Sequence, residues 1–221
     1  SYICGLCERE CNYKDQTGAI RRKMLKRFLT DYYLPYLETK TPFPYPTREK
    51  VAVVGGGPGG VMCAYMLSKS GCQVTILERS TQLGGALRYI PQYRLPTNII
   101  DTTLNNLVRI THTDVRFGIE MGNEGNTLDD LKHEGYRAVF IATGTHSPRP
   151  LTFEGQIVAG ADLDGVASGL HVLFEINQGQ VLQHLFRQLF RDKKVIVVLR
   201  QAFLFDVARS VRRLGGDVAT V

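Results

Sequence analysis

The stretch KVAVVGGGPGGVMCAYMLSKSGCQVTILER, residues 50–79, decides the fold. A valine-rich run, Val51 to Val54, predicts a short strand that enters the spacing Gly55-x-Gly57-x-x-Gly60. An apolar-periodic helix follows to Ser70, and a second strand, Val74 to Leu77, ends on Glu78. Each glycine has a physical task. Gly55 permits a tight turn, Gly57 lets the backbone approach a pyrophosphate, and Gly60 lets the helix pack closely on the strand. A diphosphate would then lie at a helix N-terminus, whose free N–H groups and dipole favour negative charge. Glu78 falls 18 residues beyond Gly60, where a carboxylate reaches ribose hydroxyls. Strand, glycines, helix, strand and acid in this order predict a dinucleotide site. The competing reading is a decayed site that keeps only the turn.

Outward from this stretch, NIIDTTLNNLVRITHTDVRFGIE reads as a helix and then a strand. TLDDLKHEGYRAVFIATG reads as a short helix feeding a buried strand, Ala138 to Ala142. Helices alternating with strands predict an α/β, Rossmann-like domain on a parallel sheet over residues 49–150.

Before it, residues 1–48 form a separate module. Cys4, Cys7 and Cys11 fall within eight residues, whereas Cys63 and Cys72 lie apart in the next domain. In a reducing compartment such crowding argues for a soft metal rather than disulfides. An iron–sulfur cube or a zinc takes four ligands and only three are present, so a fourth must come from elsewhere or the cluster is a vestigial knot. GAIRRKMLKRFLTDYYLPYL reads as a helix with Ile20, Met24, Leu25, Phe28 and Leu29 in apolar period, ended by Pro35. ETKTPFPYPTREK, with three prolines, reads as a semi-rigid connector up to a boundary near Arg48.

The chain carries a formal net charge of +6 and an apolar fraction of 43%. Basic residues cluster in RRKMLKR and RSVRRLGG, both in helical patterns, which reads as solvated helix faces before it reads as an acidic-partner surface. No aromatic-interleaved basic motif supports nucleic-acid binding, and no apolar run is long enough to insert in a membrane, so a cytoplasmic protein is expected. The chain opens on Ser1 without a methionine and stops in a strand at Val221, which suggests processing, an expression boundary or a fragment. His112, His133, His146, His171 and His184 are scattered and read as surface or satisfied side chains. No Ser/His/Asp arrangement, carboxylate pair or zinc-hydrolase motif competes with a redox reading.

GGGPGG, ILERSTQLGGALRYIPQYRLP, YRAVFIATGTHSPRPL and the CEREC segment before them resemble the glutamate synthase small-subunit family, which includes the N-terminal part of dihydropyrimidine dehydrogenase and related iron–sulfur flavoproteins. The resemblance covers almost the whole chain. It implies FAD as the dinucleotide, with its pyrophosphate on Gly55, Gly57, Pro58, Gly59 and Gly60 and its adenosine ribose on Glu78 with Arg79 beside it. It places Gly85, Leu87, Arg94 and Leu95 along the flavin, Met121 by the adenine through its backbone, and Thr143 with Gly144 across the cofactor. It implies a 4Fe-4S cluster on Cys4, Cys7 and Cys11 with a further ligand from outside this stretch. In this chain Tyr89 meets Ile90 directly, one residue short of the family's pattern, and IPQYRLP also reads as a proline-braced loop.

The resemblance further implies that residues 151–221 begin a second, NAD(P)-binding-like domain, with helices at about Leu170 to Asn177 and in QVLQHLFRQLFRD, then a strand from Lys194 to Val198. Where the family has a glycine-rich turn this chain has LRQAF, while Asp206, Ala208, Arg209 and RLGGDV still match. Leu199, Arg200 and Gln201 cannot take a positive-φ turn cheaply, and their Cβ atoms would crowd a pyrophosphate. The fold is therefore expected to remain while NAD(P)H binding there is doubtful, an Arg200 side-chain clamp being the alternative.

The expected function is a FAD-dependent oxidoreductase subunit passing electrons between flavin and an iron–sulfur cluster, with a protein partner in a larger redox complex. The alternative is a non-catalytic scaffold on a degenerate flavoprotein fold. The sequence names no substrate and no catalytic residue.

Overall fold

The computed structural model describes residues 6–123, 125–145, 150–177, 180–198 and 203–221. The chain forms two compact units, one of residues 1–87 and 93–144, the other of residues 88–92 and 145–221.

In the first unit, α1 (Leu6–Arg9) and α2 (Arg22–Tyr33) precede a 3-10 turn (Leu34–Leu37) that carries Pro35, as expected for a residue that cannot continue an α-helix. The N-cap of α2, Arg21, offers no side-chain acceptor, and the Lys23 amide donates instead to Glu8 Oε1 of α1 at 2.7 Å. Then come β1 (Lys50–Val54), α3 (Pro58–Lys69), β2 (Gln73–Glu78), α4 (Thr97–Thr111), β3 (Asp114–Phe117), α5 (Leu128–His133) and β4 (Ala138–Ile141). The four strands form one parallel sheet in the order β3-β2-β1-β4. After β3 the chain returns past β1 to lay down β4 on its other side. The C-terminal ends of β1 and β4 thus flank a topological switch point, where open α/β sheets bind ligands.

β1 lies inside the sheet between β2 and β4, and its residues 51–54 are buried. Val53, Val61, Ala64, Ile76, Leu104 and Ile110 belong to the hydrophobic core. Ala52, Val54, Leu77, Leu131 and Tyr136 form a further cluster, with Ile119, Met121 and Val139 against it. The strand expected to be buried is not. β4 has one described neighbour, β1, and Phe140 and Ile141 are 44% and 65% exposed, because an edge strand has a sheet partner on one side only.

The connector that follows the 3-10 turn is pinned to α4 by polar contacts. Arg109 Nη2 donates to Leu37 O at 2.8 Å and to Lys40 O at 3.2 Å, and the Phe43 amide donates to Ile110 O at 2.8 Å. His112, the C-cap of α4, has φ +51°, lies 3.0 Å from Phe43 O through Nε2, and stacks on Tyr45 with ring centroids 4.1 Å apart.

The second unit holds a hairpin of β5 (Thr152–Phe153) and β6 (Gln156–Ile157), then α6 (Gly169–Asn177), α7 (Gln180–Phe190), β7 (Lys194–Val197), α8 (Leu204–Arg213) and β8 (Asp217–Thr220). β7 and β8 pair in parallel across α8, so the expected βαβ rhythm is present. Val172, Leu173 and Ile176 of α6 pack with Val197, Val207, Val211 and Leu214 to form its core. Leu199, Arg200 and Gln201, on which the reading of the second turn rests, lie outside the described residues, as do Cys4 and His146.

Candidate dinucleotide site

The turn from β1 into α3 sits at the switch point, and its geometry demands glycine at two positions and leaves little room at a third. Gly55 has φ +106°, and a Cβ there would overlap the Ala142 carbonyl just beyond β4. Its amide donates to Leu77 O at 2.8 Å, so the turn is anchored to β2 as well as to β4. A Cβ on Gly60 would collide with the Gly55 carbonyl and crowd Val53, which is the close helix–strand packing expected of the last glycine of the triad. Gly56 was given no task in the sequence. Its Cβ would meet the Leu83 side chain and come 3.0 Å from Glu78 Oε2.

Glu78 ties this turn together. It ends β2, is only 8% exposed, and accepts the Gly56 amide on Oε2 at 2.6 Å and the Ser80 amide on Oε1 at 2.8 Å. A carboxylate oxygen can accept more than one hydrogen bond, so accepting these two amides does not by itself exhaust the group. Arg79 points elsewhere and pairs on the surface with Glu120, 3.5 Å away.

Gly57 and Gly59 behave differently from Gly55, Gly56 and Gly60. A Cβ on Gly57 would find only Gly85 Cα, at 3.9 Å, and one on Gly59 would find nothing within 4 Å. Side-chain-free backbone here borders open space at the start of α3. Pro58 opens the helix, no side chain caps it, and no acidic residue lies in its first turn. Among the described residues, the first-turn amides and the positive end of the helix dipole therefore have no capping side chain and no first-turn acid to answer them.

Gly85 brings a second backbone segment to the same place. It has φ +47°, its own Cβ would stand 3.0 Å from Gly57 Cα, and the neighbouring Gly84 amide donates to Gly56 O at 2.9 Å. The TQLGG segment and the GGGPGG segment are thus sewn together. Thr143 and Gly144 follow β4, with the Thr143 amide nitrogen 3.2 Å from where a Gly55 Cβ would stand. The structure therefore gathers Gly55, Gly57, Gly60, Glu78, Gly85 and Thr143 at one end of the sheet. Leu87 is half-buried in the 3-10 turn Gly85–Tyr89, Arg94 is half-buried before α4, and Leu95 is a core residue with its side chain packed inside. Met121 is half-buried beside the cluster around Leu77 and Tyr136, on the loop whose Ile119 amide donates to Glu78 O at 3.1 Å. Sequence reasoning missed Gly56, Leu83 and Gly84. The middle glycine of the GGG run in GGGPGG and the doubled glycine of LGG were the available signals.

In the N-terminal module, Cys11 is buried and Cys7 is half-buried in α1. Backbone hydrogen bonds from Ile20 and Tyr13, with the Arg22 charge nearby, hold the Cys11 thiol below its ordinary range, the condition for a thiolate ligand. Among the described residues no three Cys, His, Asp or Glu side chains stand together as a metal set. Among them too, no helix is long and apolar enough to cross a membrane.

Residues 53–115 match the family model described as a NAD(P)-binding Rossmann-like domain. Over 228 residues the chain is 29% identical to the NADPH-Fe(3+) oxidoreductase subunit beta of Geobacter sulfurreducens, covering 99% of this chain and 32% of that protein. Over 143 residues it is 35% identical to the NAD-dependent dihydropyrimidine dehydrogenase subunit PreT of Salmonella typhimurium, covering 63% of this chain and 33% of that one. The fold is shared with 6-hydroxypseudooxynicotine amine oxidase from Pseudomonas geniculata, at a TM-score of 0.57 and 19% identity over 82% of this chain and 26% of the other. The chain spans less than half the length of these curated relatives. It is a homologue of these oxidoreductase subunits, and its residues 53–115 match a NAD(P)-binding Rossmann-like domain.

Proposed function

We propose that the chain is the dinucleotide-holding part of an electron-transferring oxidoreductase subunit, with FAD on the turn between β1 and α3 and a protein partner completing the redox path. The observation that carries this reading is the open, uncapped start of α3 at Gly57 and Gly59, set beside a buried carboxylate on Glu78. A cradle whose backbone is bare and unobstructed fits a diphosphate, and a carboxylate at the end of the second strand fits the adjoining ribose.

FAD, when bound, supplies a carrier that accepts a hydride or single electrons, joining two-electron to one-electron chemistry. The protein's share is binding and orientation. Amides in the first turn of α3 neutralise the diphosphate, Glu78 fixes the ribose while holding Gly56 in place, and Gly55 and Gly60 keep α3 close enough to the sheet to aim those amides. Cys4, Cys7 and Cys11, with one ligand from elsewhere, would hold an iron–sulfur cluster, whose soft thiolate donors suit that group. The nicotinamide site of the second unit is read as lost on the strength of Leu199, Arg200 and Gln201 in sequence.

The test is an anaerobic absorption spectrum of the protein with iron and acid-labile sulfide counts, repeated on Gly57→Val. The wild type is expected to be yellow and reducible, and the variant folded but flavin-free. A Cβ at Gly57 meets nothing closer than 3.9 Å, so a lost flavin there reports binding rather than misfolding. Full flavin content in Gly57→Val overturns the assignment, and a colourless wild type that takes up no added FAD favours the scaffold. Rapid bleaching by NAD(P)H would overturn the reading of the second turn.

A further inference from the structure

Apart from the Arg22 charge near Cys11, the proposed function makes no use of α2. Met24, Leu25, Phe28, Leu29, Tyr32 and Tyr33 on this helix, and Tyr36 just after it, are each between 53% and 65% exposed, and no described residue of α2 is buried. At the helical period these side chains share one face, and Arg21 and Arg22 fall on that same face at its start. Lys23, Lys26, Arg27 and Asp31 fall on the other, where Arg27 pairs with Asp31 at 3.5 Å. The stripe therefore has a guanidinium end, an aliphatic middle and an aromatic end. The aromatic end is a mutually packed set, with Tyr32 and Tyr33 centroids 5.4 Å apart and Tyr36 6.0 Å from each of them. Phe28 extends it, 6.2 Å from Tyr32.

Such a stripe is complementary to itself when reversed. An antiparallel pair with Phe28 opposite Leu29 of the second copy sets Leu25 opposite Tyr32 and Arg21 opposite Tyr36. Each arginine end then meets the negative face of an aromatic end, at both ends of the pair, and the two arginine ends stand as far apart as the helix allows. A parallel pair would instead oppose arginine to arginine. Aromatic, methionine and arginine side chains together are also the composition of interface cores between proteins.

We propose that this face of α2 is the contact with a second copy of the chain, in an antiparallel two-fold pair closed by arginine–tyrosine contacts. The experiment is sedimentation of the purified chain across the micromolar range, with far-UV circular dichroism to confirm folding. The wild type is expected to dimerise, and Phe28→Asp to be monomeric with an unchanged spectrum. Arg21→Ala with Arg22→Ala, and separately Tyr33→Ala with Tyr36→Ala, are each expected to weaken the pair by on the order of tenfold or more. Mixing these two variants restores association, because a mixed antiparallel pair regains one intact arginine–tyrosine end.

A wild type monomeric throughout overturns the proposal. So does a dimer indifferent to Phe28→Asp, or mixed variants that associate no better than each alone. A monomer that binds vesicles of anionic lipid through this face would assign it to a membrane surface instead and overturn the proposal equally.

Discussion

The Gly56 amide donates to Glu78 Oε2 at 2.6 Å, so the carboxylate that ends β2 holds the glycine turn that ends β1. Because the Ser80 amide donates to the other oxygen, two backbone donors converge on one side chain, and only a carboxylate meets both with acceptors. Glu78→Gln would present an amide NH2 to one of them, and Glu78→Ala would leave both without this partner. Either is expected to cost about 1–3 kcal/mol in urea unfolding. Both should also weaken flavin retention, measured by absorbance after gel filtration.

Gly59 and Gly60 should part company on substitution. Alanine at Gly60 would strike the Gly55 carbonyl and is expected to unfold the domain or lower its melting temperature steeply. Alanine at Gly59 meets nothing within 4 Å and gains helix propensity, so the cofactor-free protein should be more stable by up to about 1 kcal/mol. Its FAD affinity should nevertheless fall, as read by titration calorimetry, because the new methyl enters the space proposed for the diphosphate.

His112 fastens the connector to α4. Replacing it with alanine removes the stacking on Tyr45 and the hydrogen bond at Phe43 O, while keeping a side chain at φ +51°. Faster hydrogen exchange at the Phe43 amide, which donates to Ile110 O, and earlier proteolysis within residues 38–49 are expected. Unchanged exchange would show that the Arg109 contacts suffice alone.

α5 starts with a reciprocal cap. The Asp130 amide donates to Thr127 Oγ1, and the Thr127 amide and hydroxyl both donate to Asp130 Oδ2. These bonds hold the Asp130 carboxyl below its usual range. A depressed folded-state pKa contributes stability above the unfolded value that is lost as pH falls through the folded one. Thr127→Ala should therefore lower stability near neutral pH, and lower it less in acid, in paired thermal melts.

The fold was readable because its signals are local. Three strand–helix alternations, the glycine spacing and Glu78 lie within short windows, so period and turn chemistry alone located β1, α3 and β2 within about two residues. Strand order was less accessible. That β4 is an exposed edge instead of a buried strand depends on which strands lie beside it, and AVFI reads the same in either place.

The amino-acid order by itself determined that a bare backbone turn would follow the first strand and that a carboxylate would close the second, since both follow from residue type and spacing. Only the tertiary structure decided what stands in the place of each absent side chain. Gly55 and Gly60 are empty because protein atoms fill the place of their side chains, whereas Gly57 and Gly59 are empty with space before them. The same holds for the apolar period of α2, which in sequence is indistinguishable from that of a core helix. Whether such a face is buried depends on what the rest of the chain packs against it, and here its side chains stand in solvent.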